Sequence, residues 1–221
     1  MRDSSEVLRF DDGGWTGLVG GHVVLDLVNT VAWRLDPART VDRLGDGHAL
    51  LDWAGFVGVL DPERADAMAR ELARDESTGR RVAAQVRRAR EHLYAVLQPI
   101  AVGDQPAPAD VDTLRRWLLA ALARAEVTSV MPLEWSTGLR AMSDLPVELG
   151  VRAWSLLEHE DRRRIRQCQD ASCGWLFLDR TRNASRVWCS SADCGNRTRA
   201  LRHYRRHAAA AHDGVDDQGR S

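Results

Sequence analysis

A chain of 221 residues allows one domain of roughly 150–160 residues plus a small module, and it contains no run near the ~20 apolar residues of a membrane span. Its 31 basic residues are all arginine, and against 32 carboxylates they leave a formal charge of −1. That near-neutral sum conceals a polarised molecule: −8 over residues 1–161, +9 over 162–207 and −2 over the last fourteen residues. The first fifteen residues lack the apolar core of a secretory signal, so the chain is read as cytoplasmic, with its cysteines reduced.

Residues 1–19 read as irregular, because Gly13, Gly14 and Gly17 stop a helix from growing. The stretch HVVLDLVNTVAWR then reads as one helix with two faces. Val24, Leu27, Val28 and Val31 follow the i, i+3, i+4, i+7 rule on the apolar side. Asp26, Asn29, Thr30 and Trp33 repeat that spacing opposite, and are candidates to line a small-molecule pocket; a capping or exposed face has the same pattern. A helix over about 47–58 buries Ala49, Leu50, Trp53, Ala54 and Val57. Asp61-Pro62-Glu63 is a helix start, with a carboxylate cap and proline at the first position. Thr78 is the expected cap of a long helix carrying Val82, Val86, Ala89, Leu93, Val96 and Ile100. Arg81, Arg87, Arg88 and Arg90 on its other side read as a solvated face.

VGDQPAP (102–108) is a loop, followed by a helix over about 109–125. Residues 127–145 suggest a short β-hairpin turning at Ser136-Thr137-Gly138, with Pro132 restricting its first strand to an edge. Pro146 opens a helix expected to run directly into the C-terminal segment as a stiff coupler. No nucleophile elbow, phosphate-binding glycine loop or His-x-x-x-His pair occurs before residue 160, so no enzyme is expected.

Cys168, Cys173, Cys189 and Cys194 are the chain's four cysteines, two pairs with four residues between partners and fifteen between pairs. Two short hooks of thiolates suit a tetrahedral, closed Zn2+ site; two disulfides are the alternative, disfavoured by a reducing compartment. A basic helix follows. Ala200, Leu201, Tyr204, Ala208 and Ala211 form a stripe expected to dock on the metal unit. Around the ligands, Arg180, Arg182, Arg186, Arg197 and Arg199 are candidate phosphate contacts, and Arg202, Arg205 and Arg206 are candidates to reach a groove of double-stranded DNA. An arginine-rich solvated face is the bland alternative, but it leaves the scarcity of carboxylates in this segment unaccounted for.

The runs CGWLFLD (173–179), Arg182-Asn183, Ser185-Arg186, Trp188-Cys189 and Cys194-Gly195-Asn196-Arg197 resemble the CGNR zinc finger. Gly20-Gly21-x-x-x-Leu25-Asp26-x-x-Asn29-Thr30 is similar to the start of the ABATE domain, a putative stress-induced transcription regulator of bacteria. The resemblance implies zinc on the four cysteines and DNA binding by the finger. Val187 and Ser191 depart from the pattern where arginine and methionine are usual. The expected architecture is mainly α with a small β-hairpin: a helical, ABATE-like sensor domain (1–161), a DNA-binding zinc finger (162–212) and a disordered tail (213–221). The expected function is zinc-dependent transcriptional regulation, with a small-molecule or stress signal read by the helical domain and a homodimer on DNA. An RNA-binding or protein-interaction zinc module is the alternative.

Overall fold

The computed structural model describes residues 17–216 other than Pro132, with side chains through His207. Helix α1 (Val23–Val28) begins at His22, whose Nδ1 accepts from the Val24 N–H. It carries Val24, Leu25, Leu27 and Val28 with no exposed surface. The long two-faced helix expected here stops at Val28. Asn29 and Thr30 turn, Val31–Ala32 (β1) pairs antiparallel with Val41–Asp42 (β2), and Trp33 takes φ +57°. Thr30 and Val31 are β-branched and leave a helix readily, and the extended Val31 carbonyl is free to accept from the Trp175 indole N–H at 2.8 Å.

Local capping sets the next helices. Asp46 caps α2 (Gly47–Phe56), and Asp61, followed by Pro62, caps α3 (Pro62–Arg74). The cap of α4 (Glu76–Val102) is Asp75 rather than Thr78, since one Asp75 oxygen accepts from the N–H groups of both Ser77 and Thr78. Arg90 on α4 is buried, not solvated: its two terminal nitrogens lie 2.7 Å from the two Asp42 oxygens, and one also donates to Thr30 Oγ1. Arg87 likewise donates to the carbonyls of Leu44 and Gly45, while Arg81 and Arg88 stay exposed.

Helices α5 (Pro108–Leu122) and α6 (Leu145–His159) complete the body. Between them β3 (Glu126–Val130) pairs antiparallel with β4 (Leu133–Ser136), so the hairpin turns after Val130 and not at Ser136-Thr137-Gly138. The later segment becomes a 3-10 turn at Met142–Asp144, because Asp144 accepts from the N–H groups of Arg140 and Ala141. The edge role expected of Pro132 lies outside the described residues. Helix α6 does not run on into the C-terminal unit: the Asp161 carboxylate takes the Arg163 N–H and starts a separate 3-10 turn at Arg162–Arg164.

Two apolar cores share one wall. β5 (Ile165–Gln167) pairs antiparallel with β6 (Leu176–Leu178). Along an extended strand alternate side chains face opposite ways. Leu176 and Leu178, with Ile165, therefore enter the core of the helical body. Trp175 and Phe177 enter a second core with Ala32 and the four cysteines. Helix α7 (Asn196–Asp216) leaves this second core and packs mainly on the turn Ser191–Gly195. Leu201 is 50% and Tyr204 73% exposed, so the described part of the stripe, with Ala200, does not dock on the metal unit: Trp188 and Arg197 already close that core, and the side chains of Ala208 and Ala211 lie outside the described residues. The helix also continues through Asp216, inside the stretch expected to be a disordered tail; residues 217–221 lie outside the described residues.

Candidate metal centre and nucleic-acid interface

The sulfur cluster is built by two local hooks. Cys168 N–H donates to the Trp175 carbonyl, and Asp170 accepts from the Ser172 N–H, folding the first hook back on β6. Ser190 accepts from the Asp193 N–H and donates to its carboxylate, which turns the second hook. The four Sγ atoms lie within 4.8 Å of one another, with Cys173–Cys189 at 3.7 Å and Cys189–Cys194 at 3.4 Å. Four sulfurs at ~2.3 Å from a central ion would stand about 3.8 Å apart, so the donor set fits a tetrahedral metal. Each cysteine is at most 5% exposed. Hydrogen bonds from Cys173, Cys189 and Cys194 hold the Cys168 thiol far below its ordinary value, and their contacts with Cys168 push the Cys173 and Cys189 thiols up. Sulfurs this close repel one another as thiolates unless a cation replaces the protons.

Arg197 locks this site from outside. Its Nε donates to Asp170 at 2.9 Å, its Nη2 to Cys194 Sγ at 3.0 Å, and its guanidinium lies 4.4 Å from the Trp33 ring centre. Arg39 stacks on the same ring at 3.5 Å. A donor to a ligand sulfur and a cation beside it steady the thiolate. Arg186 is similarly engaged: it donates to the carbonyls of Val19, Trp188 and Cys189 and lies over Phe177.

The polar face of residues 26–33 forms the joint with this centre. Asn29 closes the outer edge of β6, donating to the Leu176 carbonyl (2.8 Å) and accepting from its N–H (2.9 Å). Thr30 Oγ1 donates to the Leu27 carbonyl and accepts from Arg90, and Trp33 lies between Arg39 and Arg197. Asp26 accepts from the Gly20 N–H at 2.8 Å. Arg34 and Leu35 donate backbone N–H groups to the carbonyls of Cys173 and Ser172. Gly174 there takes φ +72°, and a Cβ on it would meet Arg34 Cβ at 2.8 Å. Asp26, Asn29 and Thr30 do border a cavity, but of about 30 Å³, room for a water or two and not for a metabolite. In place of the ligand pocket expected from these four residues there is a polar seam: Asn29 bonds Leu176 and Trp33 meets Arg197 across the fold, while Thr30 takes Arg90 and Asp26 takes Gly20.

Burial raises the Asp26 carboxyl to about 6, against the lowering effects of the Gly20 and Val19 N–H groups and the Arg186 charge. The folded chain therefore holds this proton more tightly than the unfolded chain, and its contribution to stability falls as pH rises from about 4 to 6. Between pH 5 and pH 7 wild type should lose about 1 kcal/mol more stability in urea unfolding than Asp26→Asn does. Parallel pH profiles for the two proteins would contradict this.

The eight arginines expected at DNA separate into two groups. Arg186 and Arg197 hold the metal centre, and Arg180 pairs with Glu160 at 2.7 Å. Arg182, Arg202, Arg205 and Arg206 are exposed, with no hydrogen bond or ion pair among the described residues. Arg199 is exposed, though it donates to Ser191 and Asn196. Sequence reasoning missed Asp170, Trp175 and Gly174. One signal was available: the basic segment keeps only Asp170, Asp179 and Asp193, and each caps or clamps a turn of the metal unit.

A buried four-cysteine centre, clamped by arginine and wedged against a helical body, defines a finger with an exposed cationic helix and a donor set that fits a metal. A family model described as CGNR zinc finger matches residues 164–207. The ABATE model, described as putative stress-induced transcription regulator, matches residues 21–160. The chain belongs to the ABATE family and carries a CGNR zinc finger. No curated protein matches it significantly. None of the described helices is long and apolar enough to cross a membrane.

Proposed function

We propose that this protein is a zinc-dependent, DNA-binding transcriptional regulator whose helical body passes a signal to the finger. The observation that carries the reading is the bare cationic surface of α7: residues 199–207 are all exposed, and Arg202, Arg205 and Arg206 have no partner among the described residues. Cys168, Cys173, Cys189 and Cys194 would hold Zn2+, which accepts four thiolates and then offers no position to a substrate; this favours a regulator over a zinc enzyme. A helix 10–12 Å across fits the ~12 Å major groove of B-DNA. Because α7 starts at the residue after Gly195, its direction is fixed by the closed centre. Phosphate contacts fall to Arg182 and Arg199, and base edges to Arg202, Arg205 and Arg206. One finger covers little duplex, so a homodimer on a two-part site is expected.

Selection of duplexes from a random pool, followed by titration, tests the reading. Arg202→Ala with Arg206→Ala should weaken binding to selected duplexes ~100-fold or more, with far-UV circular dichroism unchanged. Wild-type affinity should fall with salt at a log–log slope of about −0.9 per phosphate neutralised. Unchanged affinity in the double variant would sink the proposal. A second reading, contact with RNA or protein, draws on Tyr204 and Leu201, exposed on the side of α7 away from Arg202 and Arg206. Tyr204→Ala separates the two: it spares duplex binding if DNA is the partner, and removes stacking if single-stranded RNA is.

A further inference from the structure

A groove of about 360 Å³ opens between α4, α5 and the start of α6, on the body and away from the metal centre. The half-buried Trp117 and the buried Ala121 form an apolar floor. Arg88 and His92 from α4 and Arg124 from beyond α5 stand around it, with Ser143 at one end. None of the described lining residues is acidic. Arg124 has a long contact of 3.4 Å with Asp144, whereas the side chains of Arg88, His92 and Ser143 have no hydrogen bond or ion pair among the described residues. The volume is that of a small-ligand site, and such sites join an apolar surface to a few convergent polar groups.

We propose that this groove binds a small aromatic carboxylate, its ring on Trp117 and its carboxylate on Arg88, with Arg124 and His92 completing the cationic rim. A guanidinium takes a carboxylate through two parallel hydrogen bonds, which fixes the ring's approach to the indole. The same helix reaches the metal centre. Glu91, on the turn between Arg88 and His92, holds Arg34 at 2.8 Å, and the Arg34 N–H donates to the carbonyl of Cys173. A ligand that draws on α4 thus connects through Glu91 and Arg34 to the backbone of a sulfur ligand. That coupling rests on the regulatory reading above; the binding itself does not, and is measured without DNA.

The test uses full-length, zinc-loaded protein and benzoate as the probe, followed by NMR of the Trp117 indole N–H, assigned through Trp117→Phe. Benzoate should give a saturable shift with Kd between about 10 µM and 1 mM. Arg88→Gln should weaken it at least ~10-fold, the loss of a charge-assisted hydrogen bond, with an unchanged melting temperature. Arg70→Gln, on an exposed face of α3, should leave it unchanged. Neutral benzamide and inorganic phosphate should each bind at least ~10-fold more weakly than benzoate, one lacking the charge and the other the ring. No shift at ~10 mM benzoate overturns the proposal, as does equal weakening by the two substitutions or equal binding of benzamide or phosphate.

Discussion

Cys189→Ser, or removal of the metal by a chelator, should unfold the body together with the finger in one transition. A free-standing finger would lose only itself. Here β6 is a wall of both cores, with Leu176 and Leu178 in the helical body and Trp175 and Phe177 beside the cysteines. Structural zinc in comparable sites contributes about 10–16 kcal/mol, much of a small protein's stability. Loss of even ~3 kcal/mol lowers the melting temperature of a chain this size by roughly 6–12 °C. Thermal unfolding followed by both far-UV circular dichroism and tryptophan fluorescence checks it. Two separate transitions, with the larger one unmoved, would show that the body stands alone, as the sequence's division into 1–161 and 162–212 suggested.

Asn29→Ala should destabilise the chain by about 2–4 kcal/mol while leaving the metal content unchanged. Asn29 is 6% exposed, and its amide satisfies both the N–H and the C=O of Leu176. Removing it leaves two backbone groups without their partners in a buried seam, each costing about 1–3 kcal/mol. Chemical denaturation gives the stability and elemental analysis the metal content. Asn29→Asp provides the control: it keeps an acceptor for the N–H but turns a carboxylate toward the carbonyl, so it should not restore stability. A loss below ~0.5 kcal/mol for the alanine variant would mean that the seam is hydrated and the two units are coupled elsewhere.

Much of the metal centre was legible because its determinants are local. Each hook spans six residues, so each pair of sulfurs is brought together locally, and the two pairs meet in one cluster. The helix starts at Asp61 and Pro62, and the loop from residue 103, were legible for the same reason: a cap acts within one turn. The hairpin turn was not, since its strands are exposed and no periodicity marked which residues pair.

The sequence by itself determined the two cysteine hooks, the helical class and the cationic last helix, each set by residues within a few positions of one another. Only the tertiary structure decided what Asp26, Asn29, Thr30 and Trp33 do, because a polar stripe at helical spacing reads alike whether it faces a ligand, water or a distant strand. It likewise set Arg90, Arg186 and Arg197 apart from arginines of identical charge. Their partners lie across the fold or are backbone carbonyls, and no local pattern encodes which guanidinium will be enclosed by them.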